Sequence, residues 1–244
     1  KIETARTRVR AVLLYMYKES KMKNVWITGA SRGIGFETVQ AFLEGGHNVV
    51  VMTRNTEALS ELVSTHNERL HLLKVDLLDL SSTVLPDYPV DILINNAGAL
   101  VNKPFDSITQ EDLQKVYGTN VFGPIQIIQK LLPQFSPQAH VVNISSVGGV
   151  TGSVKFPGLS AYSSSKGAMT ILTECLQAEY GEKTDWAFNC LALGAVQTEM
   201  LEEAFPGYQA PVSPKDMATY IMGFSLNNSR VMRGRVVEVA LSTP

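Results

Sequence analysis

The sequence predicts an α/β fold: a doubly wound parallel sheet of about seven strands with helices on both faces. Three observations predict it. From Lys23 onward, short runs rich in Val, Ile and Leu alternate with longer stretches of helical periodicity. The run Val49-Val50-Val51 is continuously apolar, as a strand buried on both faces must be. A glycine-rich turn stands between the first such run and the first helical stretch.

In order along the chain, Asn24–Thr28 reads as the first strand, with Val25, Trp26 and Ile27 at its centre. Gly33–Glu44 reads as a helix, closed by the stop signal Gly45-Gly46. Asn48–Thr53 is the second strand, Thr56–Thr65 a helix and Leu70–Val75 the third strand. Asp91–Asn95, Ala139–Ser145, Trp186–Leu193 and Arg235–Leu241 are the remaining strands. Helices over Thr109–Asn120, Ile125–Leu132, Ser160–Tyr180 and Lys215–Leu226 fill the intervals. Ala195–Ser213, rich in Pro, Gly and Glu, reads as a long irregular loop, and loops of that length in a compact domain usually act as lids. Nothing resembling a linker or repeat divides residues 22–244, which therefore read as one domain.

The net charge of -2 offers no basic excess for nucleic acid. Cys175 and Cys190 cannot build a disulfide framework, which suits a reducing, cytoplasmic setting. No Cys or His lies at metal-ligand spacing, so no metal site is expected. No apolar run approaches the ~20 residues of a membrane span. Residues 1–21 form a basic arm around the apolar patch Ala11–Tyr17. Lys18-Glu19-Ser20-Lys21 follows that patch where a signal peptide would place small residues. The arm is expected to stand outside the core, with the native start at Met22.

The turn Thr28-Gly29-Ala30-Ser31-Arg32-Gly33-Ile34-Gly35 sits at a strand-to-helix junction. Glycines there let backbone amides approach a pyrophosphate at the positive end of the helix, although such turns also arise for steric reasons alone. A dinucleotide lacking a 2′-phosphate is usually held by an acid at the end of the second strand. This strand ends Met52-Thr53-Arg54, with no acid. Arg54 and Arg32 could instead clamp a 2′-phosphate, because a guanidinium pairs bidentately with phosphate; NADP(H) is the expected cofactor. Asp76, with Leu77 beside it, stands where an adenine amino group would lie, or else caps a following helix. Asn96, Ala97 and Gly98 end the fourth strand, where small residues let a cofactor lie close.

Tyr162 and Lys166 are four apart in the long helix, so they share a face. An ordinary phenol titrates at about 10, and bringing it to neutrality takes about 4 kcal/mol of differential stabilisation. Lys166, with the positive ring of an oxidised nicotinamide, is expected to supply it and to make Tyr162 a general acid/base. Taken as an isolated pair they read more readily as an interface aromatic and a solvated cation. Asn143-Ile144-Ser145-Ser146 ends a strand at the same sheet edge, where Ser146, or its near-equivalent Ser145, can hold a carbonyl oxygen.

These motifs together resemble the short-chain dehydrogenase/reductase family, over the span from Met22 to about Val239. The resemblance implies a Rossmann-type fold and a catalytic tetrad of Asn120, Ser146, Tyr162 and Lys166. It also implies that Lys166 holds the nicotinamide ribose and that Asn120 supports a proton relay through a water. Arg32 and Arg54 match positions that mark NADP(H)-preferring members. Where the family usually reads Pro-Gly after the sixth strand, this chain has Leu193-Gly194; Gly194, Val196 and Thr198 are still expected to serve the nicotinamide.

The reading that follows is NADPH-dependent, reversible reduction of a ketone or aldehyde to an alcohol. The alternatives are a 3-oxoacyl-thioester reductase and a non-catalytic NADP(H) sensor. Met200, Leu201, Phe205, Pro206 and Tyr208 in the lid could cover an apolar ketone, while Glu199, Glu202 and Glu203 would repel an acidic carrier protein. The family's usual dimer packs Ile125–Leu132 and Ala168–Leu176 on their symmetry mates. The chain lacks the terminal Asp-Gly-Gly of many tetramers, so a homodimer is expected before a homotetramer.

Overall fold

The computed structural model describes residues 21–66 and 68–242. The expected arm over residues 1–21 lies, but for Lys21, outside the described residues. The described residues build a seven-stranded parallel sheet in the order β3-β2-β1-β4-β5-β6-β7. Its strands are β1 (Asn24–Thr28), β2 (Asn48–Thr53), β3 (Leu70–Lys74), β4 (Val90–Asn95), β5 (Phe135–Ser146), β6 (Ala187–Leu193) and β7 (Arg235–Val239). Between them run α1 (Gly33–Glu44), α2 (Ser60–His66), α3 (Gln110–Tyr117), α4 (Gly123–Leu131), α5 (Ser160–Tyr180), α6 (Glu199–Ala204) and α7 (Pro214–Asn227). The strand order reverses direction between β1 and β4, which opens a crevice at their carboxyl ends; ligands of open α/β sheets bind at such a point.

Period-two alternation explains why the strands are apolar throughout. Val25 and Ile27 of β1, with Val49 and Val51 of β2, enter the core shared with Val39 and Phe42 of α1 and Ile221 of α7. Trp26 and Val50 point the other way, onto Ile127, Ile128 and Leu131 of α4. All twelve of these side chains are at most 2 % exposed. At about 1.5–3 kcal/mol for each large apolar side chain buried, the two faces contribute comparably.

Several boundaries differ from expectation. β5 begins at Phe135 rather than Ala139, because Phe135 packs edge-on against Trp186, 5.1 Å between ring centres. The segment expected as a helix from Thr56 is a 3-10 turn, Glu57–Leu59, leading into α2. The helix expected over Thr109–Asn120 is capped by Thr109, whose side chain accepts from Asp112 N while the Asp112 carboxylate accepts from Thr109 N. It ends at Tyr117 and passes into a π-helical turn, Gly118–Phe122, that carries Asn120. No helix follows Asp76; its Oδ1 accepts from Leu78 N at 3.0 Å in a local turn. The loop over Ala195–Ser213 contains α6, whose N-cap Thr198 accepts from Leu201 N at 3.2 Å. β7 ends at Val239 rather than Leu241.

Candidate active site

At the carboxyl edge of the sheet lies a cavity of about 360 Å³. It is bordered by Gly29, Ser31, Arg32, Gly33, Ile34 and Gly35 of the glycine turn, and by Arg54 at the end of β2. Asp76 and Leu77 follow from β3, and Asn96, Ala97 and Gly98 from β4. Ser146, Tyr162 and Lys166 stand along its far wall, and Gly194, Val196 and Thr198 come from the turn after β6. Every site residue expected from the sequence therefore borders one cavity except Asn120, which is buried just behind it.

The glycine turn is shaped by close approach. Gly29 has φ 67°, and a Cβ there would lie 2.5 Å from Ala97 Cα. Asn96 fixes the same junction, donating through Nδ2 to Gly29 O at 2.8 Å, while Ala97 N donates to Thr28 Oγ1 at 3.0 Å. No side chain caps α1, so the positive end of that helix faces the cavity. Arg32 and Arg54 are exposed at its mouth, and neither is ion-paired with a carboxylate among the described residues.

At the opposite end β5 delivers the two serines. Ser145 is committed to structure: its Oγ donates to the Lys166 carbonyl at 2.7 Å. Ser146 Oγ accepts from Gly148 N at 3.2 Å and lies beside the Tyr162 phenol. Lys166 stands one helical turn after Tyr162, with Nζ 5.9 Å from the centre of the ring, and donates to Ile144 O at 2.9 Å. Burial pushes the Lys166 ammonium down to about 8. Burial also raises the Tyr162 phenol above its ordinary value, and the Ser146 hydroxyl pulls the other way without overcoming it. In this arrangement the Lys166 ammonium is engaged by the carbonyl of Ile144 rather than by the phenol.

The side chain of Asn120 is bonded to both flanking segments. Its Oδ1 accepts from Ala99 N at 2.7 Å, and its Nδ2 donates to Ala99 O and to Ser165 Oγ, both at 2.9 Å. The side chain is thus a clamp between the β4 loop and α5, set there by the π-helical turn. Beneath the site, Asn95 Nδ2 donates to Asn143 Oδ1 at 2.8 Å, and Asn143 Nδ2 donates to Thr173 Oγ1 at 2.9 Å. This buried ladder ties β4, β5 and α5 together.

After β6, Gly194 N donates to Val239 O at 2.9 Å, and a Cβ on Gly194 would lie 2.5 Å from Ala240 Cβ. The glycine is needed because the end of β7 crosses this turn. Of the lid residues expected to cover a substrate, Met200, Leu201 and Phe205 border the cavity. Pro206 and Tyr208 do not: Pro206 is exposed, and the Tyr208 hydroxyl donates to Ser242 Oγ at 3.0 Å. Leu100, Phe156, Leu159 and Ala204 also border the cavity and went unnoticed in the sequence, because they come together from three separate segments. No cluster of three or more His, Cys, Asp or Glu side chains among the described residues is arranged to hold a metal ion. No helix among them is long and apolar enough to cross a membrane.

Comparison with known proteins gives this geometry a context. Residues 23–209 match the model of the family described as short chain dehydrogenase. The chain is 37% identical over 163 residues to a carbonyl reductase [NADPH] 2 from Sus scrofa, an alignment covering 64% of each protein. The chain thus spans just under two thirds of that relative's length. It is 30% identical over 171 residues to an L-xylulose reductase from Caenorhabditis elegans, covering 66% of this chain and 67% of that one. Among solved structures, a short chain dehydrogenase from Shigella flexneri superposes with a TM-score of 0.77 at 27% identity, covering 88% of this chain and 90% of that one.

Proposed function

The chain belongs to the short-chain dehydrogenase/reductase family of oxidoreductases, and from that premise we propose that it reduces a ketone or aldehyde to the alcohol with NADPH, reversibly. The observation that carries this reading is the convergence of Ser146, Tyr162 and Lys166 on the cavity that the glycine turn opens.

The residues present fit a dinucleotide. The uncapped start of α1 offers its positive end to a pyrophosphate, and the approach of Gly29 to Ala97 leaves a groove without projecting side chains. Arg32 and Arg54, both without carboxylate partners, suit the extra phosphate of NADP(H); the pig relative's name specifies NADPH. When bound, the reduced cofactor supplies the hydride.

The side chains supply the rest. Ser146 donates to the carbonyl oxygen and holds it beside the phenol, where negative charge develops. Tyr162, kept protonated by burial, gives its proton to that oxygen. Lys166 offers an ammonium to the ribose hydroxyls and supports the phenolate that Tyr162 leaves behind. Asn120 positions Ala99 and α5, and so the distance between the cofactor floor and the tyrosine helix. Phe122, in the π-helical turn just before α4, and Ile171 of α5 are exposed apolar residues, which supports a homodimer packed through these helices.

The test is NADPH oxidation by purified protein against a panel of ketones and aldehydes, with NADH in parallel. Turnover with NADPH preferred supports the reading. Tight NADPH binding without turnover on any carbonyl would overturn it.

A further inference from the structure

The two ends of the cavity differ in character. Arg32, Arg54 and Asp76 stand at the glycine-turn end. Glu199 belongs there too, its carboxylate 3.7 Å from where a Cβ on Gly33 would lie. Beyond Tyr162, Leu100, Leu159 and Ala204 form a separate buried cluster on which Phe156, Met200 and Phe205 pack. Phe156 meets Phe205 edge-to-face, 5.0 Å between ring centres. The nearby amide of Asn102 is occupied, donating to Ala204 O at 3.1 Å. Among the described residues, Lys166 is the only cation that borders the cavity away from its glycine-turn end, and its ammonium is held by Ile144 O.

We infer that the substrate is an uncharged, apolar carbonyl compound carrying an aromatic or branched aliphatic group, and that Phe156, Met200 and Phe205 set this preference. The inference rests on the reductase reading above and narrows it. A carboxylate placed in the chamber would lose its hydration and find no guanidinium in exchange. A sugar would surrender several hydrogen bonds to water, each costly when nothing replaces it. An aromatic ring loses nothing of that kind and gains edge and face contacts with the two phenylalanines. The chain therefore departs in substrate from its relative named for a ketose, although the two share a family.

The experiment compares three carbonyl compounds with NADPH: 1-phenylpropane-1,2-dione, phenylglyoxylate and L-xylulose. The dione should exceed the other two in kcat/KM by about 100-fold or more. Phe156→Ala and Phe205→Ala should each lower turnover of the dione by about tenfold. Met200→Arg, which brings a guanidinium to the chamber, should raise phenylglyoxylate relative to the dione by about tenfold. Phenylglyoxylate or L-xylulose matching the dione in the wild type would overturn the inference while leaving the reductase reading intact. Should no carbonyl turn over, the reductase reading falls, and the chamber is judged by calorimetry on the wild-type protein with NADP+. There, 1-phenyl-1-propanol should bind about tenfold more tightly than mandelate. Equal or tighter binding of mandelate, or binding of neither, overturns the inference.

Discussion

Lys166 Nζ lies 5.9 Å from the centre of the Tyr162 ring and bonds not to the phenol but to the carbonyl of Ile144, at 2.9 Å. The pair is therefore set so that the tyrosine remains protonated while the lysine, pushed down to about 8, is the group that titrates near neutrality. Reduction consumes a proton from the phenol and needs the ammonium beside it. In the reductive direction kcat/KM should hold steady from pH 6 to about 8 and fall above that as Lys166 loses its charge. A profile rising through that range would place the acid elsewhere.

Tyr162→Phe removes the proton donor and little else, since the ring keeps its packing. Turnover should drop by about 10²–10⁴-fold, with NADPH affinity within a few-fold of wild type by fluorescence titration. Retained turnover would exclude Tyr162 as the acid.

Much of this site is legible in the sequence because its residues fall at the carboxyl ends of strands, which apolar runs mark clearly. Gly29, Asn96 and Ser146 are of this kind. What is not legible depends on contact between distant segments. Leu100, Phe156 and Ala204 form one wall only after folding. α6 is six residues long, too short for its periodicity to emerge, and Thr198 was its one local signal. The clamp of Asn120 depends on a π-helical turn, and no residue pattern announces that turn. The alternative reading of Asp76 as a helix cap fails for the opposite reason: a good capping residue serves a plain turn equally well.

At the cofactor end, Arg54→Asp restores the acid that hydrogen-bonds a free ribose and removes one phosphate partner. The ratio of kcat/KM for NADPH over NADH should fall by about tenfold or more. An unchanged ratio would mean that Arg54 plays no part in cofactor choice.

Asn120→Ala strips three hydrogen bonds from a buried position and leaves Ala99 and Ser165 without their partner. Denaturant unfolding should show a loss of about 1–3 kcal/mol. The KM for NADPH should rise as the β4 loop loosens, and Asn120→Asp should recover part of the loss by accepting from Ala99 N.

Stability should also depend on pH through His140. Its ring is buried and neutral, Nδ1 on Ser225 O at 2.8 Å and Nε2 on Asn189 Nδ2 at 2.9 Å, and burial pushes it down to about 4. The unfolded chain protonates near 6.5 while the folded one does not, so stability is full above 6.5 and falls as pH drops toward 4. The loss from this residue is about 3 kcal/mol. His47, also buried and pushed down to about 4, adds to it. Urea unfolding at pH 7 and pH 4.5 measures the slope, and His140→Gln should flatten it.

The ladder from Asn95 through Asn143 to Thr173 joins the strands bearing the glycine-turn junction and the serine to the helix bearing the tyrosine. The residues above them, from Phe156 and the α6 segment, meet that body through apolar packing and the Asn102 amide. Changes in the upper wall can therefore accumulate without moving the donors of proton and hydrogen bond. For a lineage acquiring new substrates, chemistry and selectivity are inherited separately, and selection can rework one while the other stands still.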